Sequence, residues 1–179
     1  MTTPAEREPV ADEGEVAELE TPADVRAEAL LLERAIGTRT NLLARLHAEG
    51  TDCYRLLHGI AEGAPGVSVD RYGPLVLVQT WREPLPAATI EALAVTARTE
   101  LGIELEVAGN HRGAPGLADP PPHAPTERAL AEHLCHEQGV RFTIRARHRG
   151  QDPWLFLDLR SGRATVARLA TGLRVLNLF

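Results

Sequence analysis

Apolar residues recur at intervals of three, four or seven along residues 21–50, which is the spacing of one face of an α-helix. The members of this stripe are Leu32, Ile36, Leu43 and Leu46. Thr21 and Pro22 suit the start of a helix, as its N-cap and first helical residue, and Gly50 suits its end. We therefore predict an N-terminal helix over residues 21–50, which Gly37 loosens in its middle.

The pattern then changes to short runs of β-branched, aromatic and aliphatic residues that are separated by Gly and Pro turns. Three such runs, at residues 54–58, 67–70 and 75–81, predict the strands of a meander. Residues 75–78 are apolar at consecutive positions, so we expect the third strand to be buried on both faces.

Downstream, the pattern indicates a helix over residues 87–100, which Gly102 ends, and then a strand over residues 103–108. Pro and Gly fill seven of the thirteen positions 113–125, which predicts a loop. The remaining predicted elements of this region are a short helix over residues 127–133 and a strand over residues 140–145 with arginines on its outer face.

The last thirty residues combine an apolar entry, a helix over residues 161–170 and an apolar strand over residues 175–179. We expect Val166 and Leu169 to face inward and Gly172 to end the helix. A helix that leads into a buried strand is how a doubly wound α/β domain begins. The glycine-rich turn that follows the first strand of such a domain is not part of this sequence, so only its first helix and strand are expected here.

The net charge of −6 is unevenly distributed. Residues 1–33 hold ten acidic side chains against two arginines, and residues 1–20 also lack aromatic residues, which predicts an acidic disordered tail over residues 1–20. Residues 141–174 instead hold eight arginines and two aspartates. Every basic residue is arginine, which a GC-rich coding sequence explains by itself, although arginine is also the better phosphate ligand. The sequence pI of about 5.6 argues against a non-specific DNA-coating protein.

The cysteine pattern and the hydropathy indicate a cytoplasmic protein. Cys53 and Cys135 are far apart in sequence, which predicts reduced thiols and argues against a secreted disulfide scaffold. No apolar run approaches the roughly 20 residues of a membrane helix, so we expect no membrane association. His133, Cys135 and His136 do not have the spacing of a four-ligand zinc site, and we expect no metal.

Three blocks of sequence, in this order, resemble a known enzyme family. They are YRL, VDRYG and VQ between residues 54 and 79, FLDLR at residues 156–160, and VLNLF at residues 175–179. The blocks are similar to those of the S-adenosylmethionine (SAM)-dependent methyltransferases of 23S ribosomal RNA that modify cytosine at C5 or guanine at N7. In that family an accessory α/β domain precedes a catalytic Rossmann-like domain, and VLNLF opens the methyl-donor motif. The similarity covers residues 29–179.

The resemblance implies a fold in two parts. Residues 51–150 are expected to form an α+β accessory domain, which has a mixed or antiparallel sheet with flanking helices and recognises RNA. Residues 151–179 are expected to form the first helix and strand of a truncated Rossmann-like methyltransferase domain. Pro74 replaces a frequent Asp of the family, and the acidic tail stands where some relatives carry an RNA-binding PUA module.

The resemblance also implies what the chain lacks. The donor-binding glycines, the acidic ribose ligand and the catalytic motifs of the family all follow the last matched residue, so we expect the N-terminal portion of an enzyme without a catalytic residue of its own. SAM is then the cofactor of the full-length family member, and this chain alone is expected to bind no cofactor. The expected partner is 23S rRNA, with a separate polypeptide as one source of the missing part.

Two groups of residues are candidates for the site. Phe156, Asp158 and Arg160 alternate with period two, so we expect them on one strand face, and the resemblance implies that this face borders the donor and substrate pocket. The alternative is an Asp–Arg bridge that anchors the two domains. The candidates for RNA contact are Arg55, Arg71, Arg141, Arg145, Arg147 and Arg149. The alternatives are an ion pair or turn cap near Asp70 and a solvated strand edge for the later arginines.

Three functional hypotheses remain open at this stage. The chain is the N-terminal portion of an rRNA methyltransferase and inactive alone, or it is a non-catalytic RNA-binding or complementing module. The third hypothesis is a degenerate gene remnant whose unpaired apolar strand promotes aggregation.

Overall fold

The computed structural model describes residues 22–113, 123–147 and 153–176. The helices are α1 Pro22–Thr38, α2 Thr40–Ala48, α3 Ala87–Leu101, α4 Glu127–Leu130 and α5 Arg160–Leu169, with a 3-10 turn at Leu157–Leu159 before α5. The strands are β1 Cys53–Leu57, β2 Val67–Tyr72, β3 Leu75–Thr80, β4 Glu106–His111, β5 Glu132–Glu137 and β6 Val140–Arg145. The predicted tail over residues 1–20 and most of the predicted loop over residues 113–125 lie outside the described residues.

A four-stranded sheet in the order β1-β2-β3-β4 organises the chain. The first three strands are antiparallel and form the predicted meander, and β4 pairs with β3 in parallel. A parallel neighbour needs a crossover connection, and α3 supplies it between β3 and β4. The expected mixed sheet with flanking helices is confirmed.

Strand β3 is buried on both faces, as its consecutive apolar residues predicted. Val76 and Val78 join a core with α1 and α3 on one face, because alternate residues of a strand point to opposite sides. Leu75 and Leu77 join a second core on the other face. The sheet is therefore the middle layer of three, and each of its faces buries apolar area.

The β5–β6 hairpin covers the second face, and its first strand was not predicted from the sequence. We predicted a helix over residues 127–133, but α4 ends at Leu130 and residues 132–137 form β5. The polar sequence EHLCHE carries little strand signal, and its pairing with β6 and the burial of Cys135 against the sheet decide its conformation. Gln138 and Gly139 have φ angles of 51° and 75°, which suit a tight two-residue hairpin turn.

Two other boundaries differ from the prediction. The N-terminal helix is interrupted at Arg39, whose backbone leaves the helical region (ψ 2°), so residues 22–48 form two helices that meet near Gly37. The fourth strand runs over Glu106–His111 and not over residues 103–108, because its pairing with β3 starts at Leu75 and Glu106. Gly102 ends α3 in the left-handed conformation, as predicted.

The C-terminal segment differs most from the prediction. Phe156, Asp158 and Arg160 do not alternate along a strand, because residues 157–159 form a 3-10 turn and α5 begins at Arg160. The prediction that Val166 and Leu169 face inward is wrong, since they are 56% and 65% exposed. Val175 and Leu176 lie outside any strand, and residues 177–179 of the predicted strand are outside the described residues.

Candidate nucleic-acid interface

Arg55 and Asp70 form a two-point ion pair across β1 and β2. Arg55 Nε donates to Asp70 Oδ1 at 2.7 Å and Nη2 donates to Oδ2 at 3.0 Å. The hydrogen bonds that Arg55 donates to Asp70 raise the pKa of Arg55, and burial raises the pKa of Asp70 against the opposing charge of Arg55. Arg55 is thus a candidate RNA ligand that the fold also uses to neutralise a fully buried carboxylate.

Arg71 lies in a cluster with Tyr54 and His47 on the surface formed by α2, β1 and β2. Its Nη1 donates to Tyr54 Oη at 2.6 Å, its Nε donates to the Gly73 carbonyl at 2.9 Å, and its guanidinium lies 5.4 Å from the Tyr54 ring centroid. Burial and the charge of Arg71 lower the pKa of His47. The cluster holds an oriented guanidinium beside an imidazole whose lowered pKa favours its neutral form.

The arginines at and after β6 have different surroundings. Arg141 is exposed, and Arg145 pairs with Glu132 at 2.8 Å and lies over the Trp154 ring at 5.8 Å. Arg147 turns inward and donates to the Gly109 carbonyl, and burial lowers its pKa. Arg149 lies outside the described residues. Arg147 therefore holds the end of β6 against β4 and is less available to a ligand than Arg141 or Arg145.

Arg160 and Arg163 attach α5 to the hairpin through Glu137, a residue the sequence analysis did not single out. Arg163 Nε and Nη2 donate to the two Glu137 carboxylate oxygens, both at 2.7 Å, and Arg160 Nε approaches Oε2 at 3.4 Å. Arg160 Nη2 also donates to the Cys53 carbonyl at 2.6 Å. Burial raises the pKa of Glu137, but the two arginines outweigh burial and hold that pKa below its ordinary value.

The three predicted C-terminal site residues are thus split between two environments. Phe156 is half-exposed and Asp158 is exposed, while Arg160 is engaged by Glu137. Asp158 and Arg160 share with Arg55 the lining of a surface cavity of about 290 Å³ beside α2. The structure therefore brings together one arginine of each predicted group. The anchoring bridge that we considered as an alternative exists, but its acid is Glu137 and not Asp158.

The two cysteines, far apart in sequence, lie side by side between β1 and β5. Both are free thiols and fully buried, and Cys53 Sγ donates to the His136 carbonyl at 3.1 Å. A hydrogen bond to Cys53, together with burial, raises the pKa of the Cys135 thiol. The His136 side chain lies apart from this thiol pair in its bonding, and its Nδ1 is 3.0 Å from Asp52 Oδ2. Within the described residues no group of three or more His, Cys, Asp or Glu could hold a metal ion.

The outer face of α5 and the residues after it form an apolar surface. None of the side chains of α5 is buried. The exposed apolar residues of this surface are Leu159, Val166, Leu169, Leu173, Val175 and Leu176. Exposed apolar side chains grouped along one segment are typical of a docking surface, and the same segment carries Phe156 and Asp158.

Comparison with known proteins gives this arrangement a context. The chain is 33% identical over 164 residues to a ribosomal RNA large subunit methyltransferase of Deinococcus radiodurans, an alignment that covers 84% of the chain and 38% of that protein. It is 28% identical over 141 residues to ribosomal RNA large subunit methyltransferase I of Escherichia coli, covering 73% of the chain and 33% of the relative. The homologues of this chain are rRNA large subunit methyltransferases.

The comparisons also set the extent of the similarity. The chain spans about a third of the length of the curated relatives it matches. It matches no protein-family model. Among the described residues no helix is long and apolar enough to cross a bilayer.

Two solved structures share the fold. One is a crystal structure of a protein described as a methyltransferase in complex with SAH, which superposes with a TM-score of 0.58 at 20% identity over 79% of this chain and 35% of that chain. The other, described as a SAM-dependent methyltransferase from Streptococcus mutans, superposes with a TM-score of 0.55 at 20% identity over the same shares. The mixed sheet of this chain thus occurs as part of larger proteins of that description.

Proposed function

We propose that this chain forms the N-terminal portion of a SAM-dependent 23S rRNA methyltransferase, where it contributes RNA recognition and one wall of the active site and is inactive by itself. The observation that carries the proposal is the similarity of 84% of the chain to 38% of an rRNA large subunit methyltransferase. The position of the VLNLF block at residues 175–179 supports the N-terminal placement, because the resembled family continues from that block into its donor-binding motif.

The wall of the active site is assigned to the segment from Phe156 to α5. Phe156 and Asp158 are accessible to a ligand, whereas Arg160 is oriented by Glu137 and the Cys53 carbonyl. The apolar outer face of α5 supports this assignment, because an exposed helix face without buried contacts is stabilised by packing against further structure. In the proposal that structure is the donor-binding part of the methyltransferase domain.

RNA recognition is assigned to three arginines of the accessory domain. In the proposal the half-buried Arg71 and the exposed Arg141 and Arg145 contact phosphates. A target base must leave its stack to reach an active site, so the proposed substrate is an unpaired or flipped base. The base is cytosine at C5 or guanine at N7 in the resembled family, and we include that choice in the proposal. The reduced thiols fit a cytoplasmic setting.

Binding measurements on the chain test the proposal. We expect isothermal calorimetry to show no heat of SAM binding. We expect filter binding to retain purified 23S rRNA with an affinity that falls steeply between 50 and 200 mM salt, because a protein with about six phosphate contacts loses roughly a thousandfold in affinity over this range. Micromolar SAM binding by the chain alone would contradict the inactive-portion assignment. Failure to retain 23S rRNA at 50 mM salt would contradict RNA recognition.

A chimera tests the catalytic assignment. In it, this chain replaces the matched part of the D. radiodurans methyltransferase, and the control is the unmatched part of that relative alone. We expect the chimera to transfer labelled methyl groups from SAM to unmodified 23S rRNA, and nuclease digestion followed by chromatography to identify the methylated nucleoside.

The second candidate is a non-catalytic RNA-binding or complementing module. The observation that favours it is that the candidate RNA contacts Arg71, Arg141 and Arg145 lie on the sheet and the hairpin, and not on the segment from Phe156 to α5. RNA retention by the chain together with an inactive, correctly folded chimera would favour this candidate over the first.

A further inference from the structure

A second surface cavity shares Arg55 with the cavity beside α2 and has no role in the proposal so far. It is formed by the loop after β1 and by the residues that follow β3, and its volume is about 350 Å³. That volume lies at the lower end of the range for small-ligand sites, about 300–1,000 Å³. The cavity therefore has room for a single nucleotide and not for a folded partner.

One wall of the cavity is the Trp81 side chain. The ring is 42% exposed, and the Arg112 guanidinium lies 5.6 Å from its centroid. Tryptophan has the largest aromatic face of any side chain. Arg112 covers one face of the Trp81 ring, and the partial exposure of this side chain beside the cavity lets a base stack on the other face. Bases of single-stranded nucleic acids stack on such rings regardless of sequence.

The ionisable side chains of the lining are all basic. Arg55, His58 and Arg82 line the cavity, and no carboxylate belongs to the lining. Arg55 is neutralised by Asp70 beneath it, but Arg82 has no ion pair with any residue in the described part of the chain. Its stem packs over Gly66, where a Cβ atom would lie 2.9 Å from Arg82 Cγ. Arg82 is thus a positioned cation with its charge free, next to an aromatic face.

The floor of the cavity is polar. Ser68 lies there, almost fully buried, and its hydroxyl has no hydrogen-bond partner among the described residues. Gln79, the register partner of Ser68 on β3, has a buried amide nitrogen with no hydrogen-bond partner among the described residues. A buried donor without a partner is costly, and it marks the neighbourhood as suited to a ligand that brings acceptors.

We propose that this cavity binds one nucleotide of a single-stranded RNA, with its base stacked on Trp81 and its phosphate on Arg82. The inference rests on the proposed function, which it deepens by naming a site. A nucleotide carries an aromatic base and an anionic phosphate, separated by roughly the length of a side chain, so it can contact Trp81 and Arg82 at the same time. An apolar peptide side chain would fill the cavity but leave the Arg82 guanidinium unpaired.

The two tryptophans of the chain provide a direct test and a matched control. Trp154 is 50% exposed and also has an arginine over its ring, but it does not line the cavity. In a Trp154→Phe variant Trp81 is the only tryptophan, so its emission reports on this cavity. We expect titration with a mixed-sequence single-stranded RNA 12-mer to quench that emission, and an otherwise identical 12-mer of abasic residues to quench it much less.

Affinity measurements on single variants complete the test. By fluorescence anisotropy with the labelled 12-mer, we expect Trp81→Ala to weaken binding about tenfold or more and Trp81→Phe to restore most of the loss. Trp154→Ala should change the affinity less than twofold. Arg82→Gln should weaken binding and reduce the salt dependence by about one counterion, while Arg34→Gln, which removes an exposed charge on α1, should weaken it less. Circular dichroism and urea unfolding verify that each variant is folded.

The outcomes separate this inference from the proposed function. If the chain binds RNA but the Trp81 emission is unchanged, or Trp81→Ala binds as well as the parent, the cavity is not a nucleotide site and the proposed function stands. If the chain binds neither the 12-mer nor 23S rRNA, both are overturned. If the emission responds to the unmatched part of the D. radiodurans relative and not to RNA, the cavity is a protein contact and the inference fails.

Discussion

The attachment of α5 depends on one buried carboxylate, and this dependence gives a sharp prediction for Glu137→Gln. Helix α5 has ten residues and no buried side chain, and isolated helices of that length are marginal in water. Arg160 attaches it to the Cys53 carbonyl. Two of its arginines also bind Glu137, which is buried and accepts two hydrogen bonds of 2.7 Å from Arg163 and one of 3.4 Å from Arg160. Glutamine fills the same volume but removes the charge.

The magnitude follows from the geometry of these bonds. A hydrogen bond to a charged partner contributes about 1.5–3 kcal/mol, and two short ones would set an upper limit near twice that value. Arg160 and Arg163 remain 22% and 29% exposed, so water screens part of the interaction, and glutamine keeps one acceptor. We expect the free energy that holds α5 in place to fall by about 2–3 kcal/mol, which raises its opening equilibrium roughly 30-fold to 150-fold.

Native-state hydrogen exchange measures this opening directly. Amides of α5 should exchange at least tenfold faster in Glu137→Gln, and amides of α3 should be unchanged. The control is Glu132→Gln, which removes a carboxylate of the same hairpin from an exposed pair with Arg145 and should change neither helix. Equal α5 exchange rates in the parent and Glu137→Gln would refute the reasoning, because the helix would then be held by other contacts.

The same pair predicts a pH dependence. The arginines hold the pKa of Glu137 below its ordinary value of 4.5, so the folded state favours the carboxylate more than the unfolded state does. The stability that the pair contributes is therefore fully present above pH 4.5 and is lost as the pH falls through the lower folded-state pKa. We expect α5 to open on acidification in the parent, and this step to be absent in Glu137→Gln.

Three further predictions concern the sheet, each measured by urea unfolding. Leu93→Ala in α3 should destabilise by about 3 kcal/mol because Leu93 is fully buried, whereas Val95→Ala on its exposed side should cost under about 1 kcal/mol. Gly59→Ala should destabilise by more than about 2 kcal/mol, since its Cβ would lie 2.1 Å from the Val67 carbonyl oxygen, while Gly102→Ala, with open space, should cost only about 1 kcal/mol. Asp70→Asn should cost about 3 kcal/mol by leaving Arg55 without its charge partner. A smaller loss in Leu93→Ala than in its control, or equal losses in the two glycine variants, would contradict the packing described above.

The elements that the sequence predicted well are those whose pattern is local and apolar. The four consecutive apolar residues from Leu75 to Val78 required burial on both faces, and the structure buries them in two cores. Strand β6 was predicted with its observed bounds, because apolar and polar residues alternate along it. Its partner β5 has no such pattern, and only the contact with the sheet makes it a strand.

The candidate site was predicted only in part, because the sequence pattern reports local structure and not contacts between distant residues. The FLDLR block pointed to Phe156, Asp158 and Arg160, but spacing alone placed them on a strand, whereas the chain turns at Leu157 and starts a helix. Glu137 could not be found from the sequence, because its role depends on two arginines more than twenty positions away. Trp81 was read only as the end of a strand, and its exposure beside Arg82 is a property of the folded chain.

The sequence by itself determined the meander, the crossover helix and the apolar residues of the sheet, since hydrophobic periodicity and glycine turns act over a few neighbouring residues. It also determined the family resemblance. The tertiary structure alone decided which charges are neutralised and which remain free: Arg55, Arg147 and Arg160 have partners inside the protein, and Arg82 has none in the described part of the chain. The physical reason is that ion pairing and burial depend on distances between residues that are remote in sequence, and these distances are set only when the sheet, the hairpin and α5 pack together.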